Sequence, residues 1–218
     1  SNMLPIKIDK PKDYFKSNIH KIINDYHKKI MTNIDDTQNR MDTFTNEHHL
    51  VYELFYDKKE IELMEKYHNR ARILSANAGR IFDTAVKFII QEVEGGQSEY
   101  IDNPGQHPNR FEIDVINHDK KIAYEIKWRD AGTDGDHKNK EYRKVDLLIE
   151  KGYTPIRLTF FMPELERSLN AQKQIIDYYR KRGKAYTQES AFEYINRMAD
   201  IDLLQILKDF KTSLSDLL

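Results

Sequence analysis

The stretch FEIDVINHDKKIAYEIKWRD, residues 111 to 130, combines two short apolar runs with charged residues at regular positions. Apolar residues alternate with Glu112 and Asp114 in the first run, and with Glu125 and Lys127 in the second. A two-residue period is typical of β-strands, and the polar NHDK segment between the runs indicates a turn. The stretch therefore predicts an antiparallel hairpin in which Asp114 points away from Phe111 and its apolar neighbours Ile113 and Val115.

A symmetric turn centred between Asp119 and Lys120 fixes the pairing of the two strands. In that register Asp114 lies opposite Glu125, with Lys127 beside them. Two carboxylates held close together raise each other's pKa unless a cation neutralises them. Mg²⁺ accepts one or two carboxylates and leaves coordination positions for phosphate oxygens, and a nearby lysine can activate water or offset phosphate charge. The pattern fits phosphodiester hydrolysis, while the alternative is a solvent-facing ion pair on a half-exposed sheet.

Composition limits the classes of protein that the chain can represent. With 218 residues and 39% hydrophobic content, the chain suits one domain with a substantial core. The absence of cysteine excludes disulfides, thiolate metal sites and cysteine nucleophiles, and favours a reducing, cytoplasmic setting. No apolar run approaches the length needed to span a membrane. A net charge of −1 means that any binding to nucleic acid depends on local patches.

The regions before the hairpin have the period of helices. Residues 11 to 34 predict one helix, polar residues 35 to 49 predict a loop, and residues 63 to 89 predict a long helix that Gly95 and Gly96 close.

After the hairpin, residues 142 to 149 predict a helix and TPIRLTFF, residues 154 to 161, predicts a third strand. Further helices are predicted over residues 164 to 182, 190 to 198 and 201 to 210, the second with Ser190 and Glu193 spaced as a capping box. The predicted fold is α/β (α+β), a small mixed β-sheet flanked by helices. We expect SNM at residues 1 to 3 to be a tag remnant. The single domain then comprises a helical N-terminal part (4–62), a catalytic core (63–162) and a helical C-terminal part (163–218).

One arrangement resembles the PD-(D/E)XK nuclease superfamily: Asp114 is followed, after ten residues, by the triplet Glu125-Ile126-Lys127. A long predicted helix precedes this arrangement, and a predicted helix and strand follow it. The usual proline is absent, since Ile113 precedes Asp114. The wider stretch 108 to 161 resembles type II restriction endonucleases of the ApaLI type. The resemblance implies Mg²⁺ bound by Asp114, Glu125 and the carbonyl of Ile126, with Lys127 as the catalytic lysine.

The same resemblance implies Mg²⁺-dependent hydrolysis of double-stranded DNA at a short palindromic site, inside a prokaryotic cell. No phosphate-binding glycine loop is present, so no nucleotide cofactor is expected. One site per chain predicts a homodimer, with the C-terminal leucine-rich helices or the N-terminal helix as candidate contacts. Two alternatives remain open: a repair or junction-resolving nuclease of the same superfamily, and a non-catalytic nucleic-acid-binding module.

Further site residues are expected around the hairpin. Asp83, on the long helix, is a candidate helper of the metal ligands, with Glu92 behind it. The polar loop after the second strand is expected to contact DNA, as is a basic segment near the end of the helix over 164 to 182. The candidate DNA-binding residues are Arg129, Asp130, Thr133, Asp134, Asp136, His137, Lys138, Lys140, Arg180, Lys181 and Arg182.

Overall fold

The computed structural model of the chain describes residues 9–41, 47–132 and 135–217. Seven helices and five strands are described in these ranges. In chain order they are α1 (Tyr14–Met41), α2 (Glu47–Phe55), α3 (Lys58–Glu94), β1 (Gln97–Asp102), β2 (Arg110–Asn117), β3 (Ile122–Arg129), α4 (Gly135–Glu150), β4 (Thr154–Phe161), α5 (Glu166–Arg182), β5 (Lys184–Thr187), α6 (Glu189–Ala199) and α7 (Leu203–Leu217).

The strands form one mixed sheet in the order β1-β2-β3-β4-β5. The first three strands are antiparallel to one another, whereas β4 and β5 run parallel to β3. In the β2-β3 hairpin Val115 pairs with Tyr124 and Asn117 pairs with Ile122, which is the register that a symmetric turn predicts. The small mixed sheet flanked by helices is confirmed.

The two faces of the sheet bury different helices. On one face Tyr124 and Ile126 pack against Ile89 of α3 in the largest apolar cluster, to which α1, α6 and α7 also contribute. On the other face Ile113 packs against Leu148 of α4, and α5 covers the β5 side. Strand β3 lies between the two helix layers, so apolar packing on both of its faces holds it in place.

The alternation of β2 breaks at Asp114. Phe111, Ile113 and Ile116 belong to the cluster beside α4, whereas Val115 belongs to the opposite cluster. The prediction that Val115 shares a face with Phe111 and Ile113 is therefore wrong. The β1-β2 pairing shifts register between Gln97 and Glu99, so the strand contains one extra residue here. Such bulges redirect side chains and are frequent beside active sites.

Other differences from the predicted elements have local causes. Residues 35 to 41 and 47 to 49 are helical rather than loop, because α1 and α2 extend into the polar stretch and local propensity is only a weak guide to where a helix ends. Strands β1 and β5 were not predicted, since both are short edge strands with few apolar residues. The capping box at Ser190 is wrong: α6 begins at Glu189, and the Ser190 hydroxyl bonds to the backbone of Thr187. Within the described residues no helix is long and apolar enough to cross a membrane.

Candidate active site

Two carboxylates lie along the edge of β3 at the point where β2 stops pairing with it. The backbone N–H of Ile126 donates to Asp114 Oδ2 at 2.7 Å, and that of Trp128 donates to Asp83 Oδ1 at 2.9 Å. Alternate residues of an antiparallel strand direct both N–H and C=O toward the same neighbour, so the carbonyl of Ile126 faces this edge too. The bulge in β2 and the position of α3 thus place Asp114 and Asp83 beside the same stretch of β3.

Glu125 lies between two lysines on the face of the sheet covered by α4. Its Oε1 is 3.5 Å from the Lys127 ammonium nitrogen and 3.3 Å from that of Lys144. Only 5% of Glu125 is exposed, and its Oε2 is buried without a hydrogen-bond partner. A buried carboxylate oxygen left in this way is unfavourable unless a cation or a water satisfies it.

The charges of this group perturb its pKa values. Burial, and then the negative charge of Glu125, raise the pKa of Asp114 to about 7. Burial raises the pKa of Asp83 to about 6, and the charge of Glu125 contributes in the same direction. The negative charge of Glu125 raises the pKa of Lys127, which keeps its side chain an ammonium. Burial is the larger cause of both raised carboxylate pKa values and the charge of Glu125 adds to it, so a cation bound here would favour the ionised forms.

The donor set fits a hard divalent cation. Among the described residues no three His, Asp or Glu side chains converge as a complete metal cage. Mg²⁺ does not need one, because it commonly takes one or two carboxylates and keeps several waters. Asp114, the unpartnered oxygen of Glu125 and the carbonyl of Ile126 are the groups that could hold such an ion.

Behind Glu125, a buried chain of ion pairs connects β3, α4 and β4. Lys144 bonds to Glu141 Oε1 at 3.2 Å, and Arg157 bonds to Glu141 Oε2 at 3.2 Å. Arg157 is fully buried and lies beside Glu125 in the β3-β4 pairing. Burial by itself raises the pKa of Glu141, but the charges of Lys144 and Arg157 outweigh it and lower that pKa to about 2. Glu125 is therefore backed by a buried layer in which positive and negative charges alternate.

The same network extends to Asp130 and His137. Asp130 Oδ2 lies 3.0 Å from Arg157 and 2.9 Å from His137 Nε2, while Oδ1 accepts the N–H of Gly132 at 3.1 Å. Burial opposes ionisation of Asp130, yet the His137 hydrogen bond and the Arg157 charge outweigh it and lower its pKa. These internal partners occupy both carboxylate oxygens of Asp130 and one ring nitrogen of His137.

Several of the other candidate DNA-binding residues after β3 lie on a helix, whereas the sequence predicted one long polar loop. Thr133 and Asp134 lie outside the described residues. Helix α4 already begins at Gly135, so the later candidates belong to its first turns. The contacts found there are an ion pair of Lys140 with Asp136 at 2.9 Å and a hydrogen bond from Lys138 to Gln174 at 2.8 Å, whereas Arg129 is exposed at the end of β3.

The basic residues at the end of α5 lie on the same face of the sheet as α4. Lys181 pairs with Asp177 at 3.0 Å, and the Arg182 guanidinium lies 3.4 Å from the centre of the Tyr178 ring. Arg180 lines a cavity of about 650 Å³ together with Lys173, Thr187 and Gln188.

The strand pairing shows how far this cavity is from Lys127. Lys127, Thr159 and Thr187 are in register across β3, β4 and β5, so the cavity is two strands, roughly 10 Å, from Lys127. Glu92 lies elsewhere, bonded to Tyr14 and Lys10.

The sequence did not reveal three buried charged residues in the network behind Glu125. Arg157 stands inside the otherwise apolar strand TPIRLTFF, and a charge within a strand covered on both faces indicates a buried partner. Glu141 and Lys144 are three residues apart on α4, next to the buried Val145. That spacing indicates a pair on one helix face, although it does not reveal that the face is buried.

Fold and local geometry together define a mixed α/β protein with a buried carboxylate-lysine cluster at the edge of its central strand. The family model of ApaLI-like restriction endonucleases matches residues 11–212, nearly the whole chain. The chain therefore belongs to the ApaLI-like restriction endonuclease family, a class of endodeoxyribonucleases that act on DNA. The resemblance predicted from residues 108 to 161 is confirmed. Neither the curated proteins nor the solved structures contain a match to the chain.

Proposed function

We propose that this chain is a Mg²⁺-dependent type II restriction endonuclease that cuts double-stranded DNA at a short palindromic site. The observation that carries the proposal is the position of Asp114 beside Glu125 and Lys127 at the open edge of β3. The influence of Glu125 on the pKa of Asp114 supports a site built for a cation rather than an ordinary surface ion pair.

In the proposed site Asp114, Glu125 and the Ile126 carbonyl hold Mg²⁺, which supplies Lewis-acid polarisation of the phosphate. Lys127 offers its ammonium group to the attacking water and to the charge that grows on the phosphate oxygens. Its side chain is 32% exposed, so it reaches the substrate side, whereas Lys144, at 10%, stays beneath Glu125. Asp83 is proposed as a helper at the same edge, because its carboxylate fixes the backbone of Trp128.

We assign the core to the PD-(D/E)XK type. An antiparallel hairpin carries Asp114 and Glu125, and a helix then leads to β4, which pairs in parallel with β3. This order of elements supports the assignment despite Ile113 in place of the usual proline. The isoleucine side chain packs in the apolar cluster beside α4, so the departure fits the local core.

DNA is proposed to lie across the exposed carboxyl ends of β3, β4 and β5. Arg129 at the end of β3 and Arg180 beside the cavity are suited to phosphates or to guanine. Lys138, Lys140, Lys181 and Arg182 extend the positive surface over α4 and α5. We propose that two chains bind one duplex, because one site per chain most simply cuts one strand.

Digestion of a mixture of plasmids with Mg²⁺, followed by sequencing of the ends, tests this proposal. A restriction enzyme gives ends that share one short palindrome. A parallel reaction on branched and linear duplexes separates it from a junction-resolving nuclease, which cuts branched DNA preferentially. DNA binding without cleavage in any divalent cation would identify a non-catalytic binding module and refute the proposal.

A further inference from the structure

Helix α3 continues well past the end of the central sheet. Asp83 accepts the N–H of Trp128, the penultimate residue of β3. Glu94, at the end of α3, accepts the hydroxyl of Tyr124, which lies earlier on β3. The helix therefore runs antiparallel to β3, and its part before Asp83 extends past the carboxyl end of that strand. This part begins at Lys58 and is roughly 37 Å long.

The side of α3 that faces the sheet can be followed into the projecting part. Phe82 stacks on the Trp128 ring with 3.9 Å between the ring centres, and Asp83 bonds to the backbone of the same residue. Positions three, four and seven residues apart share one face of a helix. Counting back from Phe82 and Asp83, the residues on this face are Gly79, Ala76, Ser75 and Arg72. The first is half-buried and the other three are exposed, so the face is open to solvent.

Gly79 lies inside α3, one helical turn before Asp83, and packing does not explain it. A Cβ atom added to Gly79 would meet no atom within 4 Å. A glycine in a helix interior destabilises the helix relative to alanine, whereas it allows another molecule to approach the backbone closely. The open space beside Gly79 therefore suits a ligand that lies against the helix next to the carboxylate cluster.

The same segment of α3 is basic and contains no carboxylate. Residues 66 to 82 include four lysine or arginine residues and no Asp or Glu. Arg72 lies on the open face, and Arg80 flanks it beside Gly79. Both arginines are exposed, and neither has an ion-pair partner among the described residues. Guanidinium groups bind phosphate oxygens through paired, charge-assisted hydrogen bonds, so this charge complements a nucleic-acid backbone.

We propose that this face of α3, from Arg72 to Gly79 with Arg80 beside it, binds the DNA backbone next to the scissile phosphate. The inference rests on the proposed function and adds a surface to it, since the DNA contacts given above lie on β3, α4 and α5. Asp83 brings one end of the surface to the carboxylate cluster. Arg72 lies roughly 16 Å from Asp83 along the helix axis, a length that covers several phosphates of one strand.

Contacts with phosphates position DNA without reading its sequence. The surface is therefore expected to hold duplexes of different sequence equally well, and to place the strand so that a phosphate reaches Lys127. The sequence of the recognition site is then read by other parts of the chain.

Binding of a short fluorescein-labelled duplex with Ca²⁺ in place of Mg²⁺, followed by fluorescence anisotropy, tests the inference without requiring cleavage. Gly79→Leu is the main variant, because leucine favours a helix and the space beside Gly79 is open. Its Tm is expected to be at or above that of the parent. Its Kd is expected to rise about tenfold or more, which corresponds to the loss of one charge-assisted contact.

The matched control is Ser17→Leu, which also adds a leucine to an exposed helical position. Ser17 lies near the start of α1, where Tyr14 bonds to Glu92 close to the other end of α3. This variant is expected to bind the duplex like the parent.

Two charge variants give a second readout that does not depend on a bulky side chain. Arg72→Gln and Arg80→Gln should each weaken binding to duplexes of different sequence alike, and should reduce the salt dependence by about one ion. Arg197→Gln, exposed on α6, should change neither quantity.

A stable Gly79→Leu protein that binds DNA like the parent, or arginine variants with unaltered salt dependence, would each overturn the inference. If the parent binds DNA through this face without cutting it under any divalent cation, only the proposed function is refuted. A parent that binds no DNA would refute both.

Discussion

Replacing Asp114 by asparagine is expected to abolish cleavage and, at the same time, to stabilise the metal-free protein above neutral pH. The carboxylate accepts the N–H of Ile126 at 2.7 Å, and the amide oxygen of asparagine can accept the same hydrogen bond. The substitution therefore removes the negative charge beside Glu125 while keeping the local backbone contact.

The size of the effect follows from the raised pKa of Asp114. Burial and the Glu125 charge raise that pKa from 3.8 to about 7. Because the folded value exceeds the unfolded one, stability is lost as pH rises from about 4 to about 7 and stays low above it. Each tenfold change in proton affinity corresponds to about 1.4 kcal/mol, which gives at most about 4 kcal/mol. That pKa already includes the compensating charges of Lys127 and Lys144, but Asp114 is only half-buried, so screening by solvent lowers our expectation to roughly 2 kcal/mol.

Thermal unfolding in EDTA measures this difference. For a chain of this size roughly 2 kcal/mol corresponds to about 4 to 8 °C in Tm, so Asp114→Asn should unfold that much higher than the parent at pH 8. The gap should close toward pH 4, and Mg²⁺ should narrow it by stabilising only the parent. Glu112→Gln, at an exposed position of the same strand, is the control and should show no such pattern. An Asp114→Asn protein no more stable than the parent at pH 8 refutes the reasoning.

Three further predictions concern the network and the DNA surface. Arg157→Met leaves buried carboxylates without their cation, so urea denaturation should show a loss of about 3 to 5 kcal/mol in unfolding free energy; a loss below about 1 kcal/mol contradicts the network. Because the pKa of Glu141 is lowered to about 2, the stabilisation that it provides should be complete above about pH 4.5 and disappear as pH falls toward 2; acid unfolding that is unaltered in Glu141→Gln contradicts this. Arg180→Gln should weaken binding to all DNA sequences and reduce the salt dependence by about one ion; Arg197→Gln, on an exposed face of α6, should change neither.

The geometry of the candidate site around β3 was predictable because local rules determine it. A two-residue period identified the strands, and a symmetric turn fixed the register that brings Asp114 toward Glu125. The bulge at Asp114 was not predictable from the period, because an extra residue in β2 is visible only against its pairing with β1.

The compensating charges were harder to predict because their partners are distant in sequence. Asp130 reads as part of a polar loop, yet its partner Arg157 lies 27 residues later on β4. Lys144 reads as a solvated helix position, yet it contacts Glu125 from the adjacent layer. A polar residue reveals its environment only when the packing of the elements is known, since the sequence pattern of an exposed charge and of a paired buried charge can be the same.

The measurement that tests the central claim most directly is the single-turnover cleavage rate of a supercoiled plasmid that contains the recognition site. The account predicts cleavage by the parent with Mg²⁺, none in excess EDTA, and rates lower by orders of magnitude for Glu125→Gln and Lys127→Met. Glu112→Gln should cut like the parent, and binding measured with Ca²⁺ should confirm that Lys127→Met still holds the DNA. Cleavage in EDTA, or a folded Lys127→Met protein that cuts at the parent rate, would contradict the account.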